Sequence, residues 1–358
     1  MKKNQYINGE LNNSKLYHKY YWQKSLKNGI PRSSLIKDTF DQVSYPIEAG
    51  IFDIAKETIF EILDAYSQVV PYDTKKYENV MDSILNTAKD SSCIVLFNHD
   101  NFATMSIFIR ELYKHANKIN KDESNKNIDL KQNLHTIVGP TITTQAQVRS
   151  LKAISNILKT VPSRDDIPGM ETSLKSIKSS FIKQLITTTK LPNQIILMAP
   201  TGTRDVLYRN SDGTINSILF QNDDGITNTA RMVKSLAESG TRVILVGTNG
   251  VGLKRPGAKH LKETDNNRTP ADVYIDVQEL SPEESLSLIE EKKLMSTIAG
   301  LVRDHKGNPI AKAIDPIEFD IYKGLPQQID IEKDKYKNYY FKDSLHKRIV
   351  RKLYTLLR

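Results

Sequence analysis

Cysteine is nearly absent: Cys93 stands alone among 358 residues. That excludes an internal disulfide framework and any metal site built from several thiolates. Long hydrophobic runs are missing too. The longest, Ile195–Pro200 and Val243–Gly247, are far too short to cross a bilayer. No apolar stretch follows Met1-Lys2-Lys3-Asn4-Gln5, so no secretory signal is expected and the cytoplasm is the expected compartment. His115, His135 and His260 have no partners at metal-ligand spacing, and no metal or other cofactor is expected. No internal repeat is found. What is present suits a globular protein, with 39% apolar and 26% charged residues. The length fits one large or two ordinary domains. With 51 Lys and Arg against 42 Asp and Glu, the formal charge of +9 points to anionic partners: phosphates, acidic proteins, lipid headgroups or nucleic acid.

The chain divides by texture. Residues 1–45 are polar and aromatic, with Tyr6, Tyr17, Tyr20, Tyr21 and Trp22 among scattered lysines. Pro46 can open a helix at its first turn. Ile51, Ile54, Ala55, Thr58, Phe60, Ile62 and Leu63 follow at three- and four-residue spacings, predicting an amphipathic helix that Pro71 ends. A second helix, Thr74 to Lys89, turns Tyr77, Met81, Ile84, Leu85 and Ala88 inward. Residues 1–89 are therefore expected to form a small helical N-terminal domain without strands. From residue 93 short β-rich runs appear at Cys93–Phe97, Thr136–Gly139, Ile195–Ala199 and Val243–Gly247, and weakly at Val273–Val277. Helical patterns lie between them: Phe102 to Ile119, Leu174 to Leu185, and Met232 to Leu236 with Gly240 as a stop. The alternation predicts an α/β domain over 90–358, a mixed sheet flanked by helices on both faces. Residues 118–133 read as a solvated connector. The segment Phe341–Arg358 places Leu345, Ile349, Val350, Leu353, Leu356 and Leu357 on one stripe among six basic residues. It either packs on its own domain with a solvated basic face or lies on an anionic membrane surface.

Two segments put reactive residues where apolar strands end, the place where ligands gather in such sheets. The first is Phe97-Asn98-His99-Asp100-Asn101-Phe102. The second is Met198-Ala199-Pro200-Thr201-Gly202-Thr203-Arg204-Asp205. The turn of Gly and Thr can present N–H groups and hydroxyls to an anion, and Arg204 can bind phosphate in a fork. Each alone is an ordinary strand-end turn; the pair points to chemistry. Asp100 reads as a helix cap. Gly247-Thr248-Asn249-Gly250-Val251-Gly252 matches neither the dinucleotide fingerprint nor a Walker loop, and it is expected to be a loop.

The pair resembles the glycerolipid acyltransferases, and most of all the soluble plastid-type glycerol-3-phosphate acyltransferases. Those enzymes carry Asn-His followed by four residues and an Asp, then a later Ala-Pro-Ser-Gly-Gly-Arg-Asp. Here Asn98-His99 and Ala199-Pro200-Thr201-Gly202-Thr203-Arg204-Asp205 stand in those places. A weaker match runs from Lys159 to Pro168, and Asn228-Thr229-Ala230-Arg231-Met232-Val233 is similar to a further family helix. The resemblance spans about residues 47–280. It implies the family's α/β fold behind a helical front domain, and transfer of a fatty acyl group from acyl-carrier-protein or CoA thioesters to the sn-1 position of glycerol 3-phosphate in phospholipid synthesis. It implies His99 as general base, Arg204 with Thr201, Gly202 and Thr203 as the phosphate site, and Arg164 and Arg231 as weaker contacts. A histidine suits the task because its pKa lies near neutrality.

One departure matters. Where the family has the Asp that orients the imidazole, this chain has Thr104. A hydroxyl can fix a tautomer but cannot offset the imidazolium charge, and in a protease triad loss of the acid's charge costs about 10⁴ in rate. Val206 stands where the plastid subgroup has another Arg. The alternative reading is thus a phosphate- or lipid-binding relative of the same fold with little or no transferase activity. Nucleic acid is not expected as a partner, since neither a stacking platform nor a known motif accompanies the charge.

Overall fold

The computed structural model describes residues 67–86, 91–99, 104–120, 129–138, 154–159, 171–200, 205–209, 215–220, 230–250 and 271–314, together with 56, 57, 59–61, 63 and 64. The main sheet has seven strands, β1 (Ser67–Pro71), β2 (Cys93–Phe97), β3 (Leu134–Val138), β4 (Asn156–Lys159), β5 (Ile195–Met198), β8 (Arg242–Asn249) and β9 (Ala271–Leu280), in the order β1-β9-β8-β2-β5-β3-β4. A smaller sheet joins β6 (Val206–Arg209), β7 (Ile215–Phe220) and β10 (Ala311–Ile314) in the order β10-β7-β6. The helices are α1 (Thr74–Asn86), α2 (Thr104–Asn120), α3 (Leu130–Asn133), α4 (Glu171–Thr189), α5 (Arg231–Glu238), α6 (Pro282–Glu290) and α7 (Leu294–Gly300).

The centre of the sheet follows from its apolar runs. All five residues of β2 are buried. Alternate side chains of a strand leave on opposite faces. Cys93, Val95 and Phe97 join Met81, Ile84 and Leu85 of α1 and Ile107, Phe108 and Leu112 of α2 in one core. Ile94 and Leu96 join Phe181 and Leu185 of α4, Val233 and Leu236 of α5, and Ile298 of α7 in another. A strand covered on both faces has no solvent side to make polar, hence the unbroken hydrophobic sequence. Each fully buried Leu, Ile or Phe in these layers contributes about 1.5–3 kcal/mol over its exposed state.

Strand direction decides which loops meet. β2 is parallel to β5 on one side and to β8 on the other, and β3 is parallel to β5 and β4. The carboxyl ends of these five strands therefore lie at one end of the sheet. β9 runs antiparallel to β8 and pairs in parallel with β1, so the sheet is mixed, as the sequence predicts. Helices α2, α4 and α5 lie over the three helical patterns expected between the strands. The stop after α5 is Gly240, whose φ of +85° favours glycine.

The front of the molecule differs from expectation. The described residues between 56 and 64 are helical, and Phe60 packs on Tyr113 with ring centroids 5.2 Å apart. Ser67–Pro71, however, is a strand rather than the end of a helix. Its proline sits at the last position of an edge strand, where a missing N–H is tolerated. Arg110 of α2 is 1% exposed and fastens this edge: its Nη1 donates to the carbonyl of Ser67 at 3.2 Å and to Ser67 Oγ at 3.0 Å, and it pairs with Asp64 at 3.2 Å. Residues 67–86, expected within a separate helical domain, thus supply a strand and a helix to the α/β unit. The second helix is seen over Thr74–Asn86, and residues 87–89 lie outside the described residues. The connector expected at 118–133 is narrower, because α2 runs to Asn120 and Asp129 caps α3. Gly247-Thr248-Asn249 belongs to β8, not to a loop. A Cβ on Gly247 would stand 2.3 Å from the main-chain carbon of Leu301, so this glycine is set by a close approach of backbone. Residues 1–55, Phe341–Arg358 and His260 lie outside the described residues. Among the described residues no helix is long and apolar enough to cross a membrane.

Candidate active site

Where β2 ends, the chain passes from apolar to polar in one step. Asn98 is 2% exposed, and a buried amide must find partners for all its polar atoms. Its Nδ2 donates to the Thr248 carbonyl at 2.9 Å and to Asp205 Oδ2 at 3.0 Å. Its Oδ1 accepts from the Thr248 N–H at 2.7 Å and from Thr248 Oγ1 at 2.9 Å. These bonds extend the pairing of β2 with β8 through a side chain and hand one donor to a third segment.

That third segment is the crossover from β5 to β6. The Asp205 N–H donates to the His99 carbonyl at 2.8 Å, and the His99 N–H donates to Asp205 Oδ2 at 3.0 Å. Two residues 106 positions apart are clamped by reciprocal bonds. Asp205 is 7% exposed and Thr248 fully buried, while His99 is half-buried. The main chain of His99 is thus held from below, with the side chain at the carboxyl end of the central strand. β6 starts at Val206, directly after the clamp.

No family model matches this chain, and no curated protein matches it in sequence. The site is therefore read from its own geometry. The structure brings together His99, Asn98, Asp205 and Thr248. Thr104 is the first residue of α2 and is 2% exposed. Arg231 opens α5 and is exposed; α5 runs back toward the start of β8 through Gly240, so Arg231 lies toward the same end of the sheet as His99. Arg164, Thr201, Gly202, Thr203 and Arg204 lie outside the described residues. The parts that sequence reading leaves without a role are Asp205 and Thr248. Their signal in the sequence is weak: an Asp directly after the Thr201–Arg204 motif, and a Thr at the end of an apolar strand.

Other reactive groups sit elsewhere. Cys93 begins β2, at the opposite end, and burial pushes its thiol up to about 12, with the nearby Arg242 guanidinium opposing the shift. It is no nucleophile at neutral pH. His135 bonds Gln194 Oε1 through Nε2 at 2.7 Å, and its burial lowers its pKa, so it stays neutral. His115 pairs with Asp82 at 2.7 Å between α2 and α1. Among the described residues no group of three or more His, Cys, Asp or Glu is placed to hold a metal ion.

Proposed function

We propose that this chain is an acyltransferase of the glycerol-3-phosphate acyltransferase-like fold. It transfers a fatty acyl group from an acyl-carrier-protein or CoA thioester to the sn-1 hydroxyl of glycerol 3-phosphate, in the cytoplasm or at the adjoining membrane surface. The observation that carries the reading is the clamp between Asp205 and His99, with bonds of 2.8 and 3.0 Å. It joins the strand-end histidine to the residue that follows Arg204 in the chain, which supports reading the two motifs as parts of one site.

The chemistry balances with these parts. An imidazole nitrogen of His99 takes the hydroxyl proton as the oxygen forms its bond to the thioester carbon. The tetrahedral intermediate collapses with cleavage of the C–S bond, and the imidazolium returns the proton to the thiolate. Products are the ester and a free thiol. Arg204 with the Thr201–Thr203 turn holds the phosphate, and Arg164 and Arg231 add positive charge. The acidic donors suit the formal charge of +9.

The neutral Thr104, buried at the start of α2, favours the second reading, a phosphate- or lipid-binding relative without turnover. Purified protein incubated with radiolabelled glycerol 3-phosphate and acyl thioesters separates the two. Labelled ester above the level of a His99→Ala control supports the enzyme. Phosphate-ester binding without product supports the relative.

A further inference from the structure

We infer that the carboxyl-terminal end of α4 and the turn after it form a docking surface for an anionic lipid bilayer. Among the described residues three large apolar side chains stand exposed, and all three fall here: Ile182 at 36%, Ile186 at 40% and Leu191 at 54%. Apolar residues scattered singly over a surface need no explanation, whereas clustered ones mark a place of interaction. The helix accounts for the first two. Phe181 and Leu185 enter the core, so Ile182 and Ile186, each one position further on, share a flank that faces out. Leu191 is displayed by a turn that is pinned rather than frayed. Ser92 Oγ donates to the carbonyls of Thr189 at 2.8 Å and Leu191 at 2.9 Å, and the Leu191 N–H donates to the Thr188 carbonyl at 3.0 Å. Gln194 Nε2 holds the Pro192 carbonyl at 2.8 Å. A leucine presented on a fixed turn meets its partner with little further loss of freedom.

Charge selects the occupant. Residues 172–193 contain Lys175, Lys178, Lys183 and Lys190 and no Asp or Glu. Lys183 and Lys190 are exposed and are the chain neighbours of Ile182 and Leu191. Aliphatic side chains beside lysines suit an anionic membrane surface, with the apolar tips among the acyl chains and the ammonium groups at the phosphates. A second copy of the same face, or the basic segment Phe341–Arg358, would set positive charge against positive charge. A protein partner is less suited, because protein interfaces are anchored by aromatic and arginine side chains and residues 182–191 contain none. So small a set of groups makes a reversible contact, not an anchor. Leu191 precedes the start of β5, at the end of the sheet opposite His99, so the contact does not draw on the candidate site. The inference needs nothing from the transferase reading.

The test is co-sedimentation of the whole chain with vesicles of equal parts phosphatidylglycerol and phosphatidylcholine, against vesicles of phosphatidylcholine alone. Binding is expected to the first and not to the second, and it weakens as salt is raised. Ile186→Ser with Leu191→Ser removes apolar surface at unchanged charge. Lys183→Gln with Lys190→Gln removes charge at unchanged apolar surface. Each pair is expected to lower vesicle affinity by about tenfold or more, with the melting temperature held because all four side chains are exposed. Insertion is read directly from Leu191→Trp combined with Trp22→Phe, Trp22 being the chain's one tryptophan. Its emission is expected to shift to the blue with the anionic vesicles only, and an unmoved emission overturns the inference. Vesicle binding that survives both pairs also overturns it, the result expected if another basic segment such as Phe341–Arg358 carries the binding. So does a parent protein that ignores the vesicles, which returns the patch to an acidic protein partner. Ester formation enters none of these readouts, so a failure of the transferase reading leaves them standing.

Discussion

At its first residue β2 lies beside Arg242, Glu279 and Ser83; at its last it enters Asn98, His99 and Asp205. Polar groups gather at both ends, half-buried at the start and buried at the finish, and they are satisfied differently. At the start, Arg242 Nη1 donates to Glu279 and to Ser83 Oγ at 2.6 Å, and Nη2 donates to the Ser83 carbonyl at 2.9 Å. Opposite charges meet, and what they fasten is β8, β9 and α1. At the finish, a carboxylate oxygen accepts from an amide and a main-chain N–H, and what it fastens is the segment that leads into β6. A charge met by its opposite is spent on holding the fold.

The comparison can be broken from the finish first. His99→Ala is expected to lower transfer by about 10²–10⁴, the worth of a general base, with the denaturation midpoint nearly unchanged. Equal loss on mutating Arg242 would erase the distinction between the ends. Next comes Asn98→Ala, which strands the partners of four hydrogen bonds. Urea denaturation is expected to show a loss of about 3 kcal/mol or more. Activity should fall with it, as Asp205 loses a donor.

Gly247→Ala sharpens the same comparison from inside β8. Its Cβ would press on Leu301, and about 1–3 kcal/mol of stability is expected to disappear. The smallest effect belongs to the start of β2. Cys93 titrates at about 12 when folded against an ordinary value of 9.0. Between those values the unfolded chain releases a proton that the folded chain keeps, so this contribution is whole below pH 9 and lost as pH rises toward 12. Cys93→Ala is expected to flatten the first part of the alkaline decline, read as melting temperature against pH. In the native state the thiol is expected to resist alkylation at pH 8.

Legibility in the sequence followed burial. β2, β5 and β8 lie between two layers of helices, so their side chains are apolar on both faces and stand out. β1 and β4 sit at the sheet's edges, with Ser, Gln, Pro, Asn and Lys among their few residues, and they carry no such contrast. β6 and β7 form a hairpin in a second sheet, away from the main run of strands. The site divides in the same way. His99 is visible because it interrupts an apolar run at its end. Its bond to Asp205 is invisible, because main-chain hydrogen bonds across 106 positions leave no spacing to read.

The pairing of β1 with β9 sets an order of events at the ribosome. Ser67 faces Ala271, so the outer strand must wait for a partner made about 200 residues later. At ordinary elongation rates of about 5–20 residues per second that delay is about 10–40 s. Until then β1 has no strand to pair with, whereas α1 already has β2 and α2, made soon after it, to pack against.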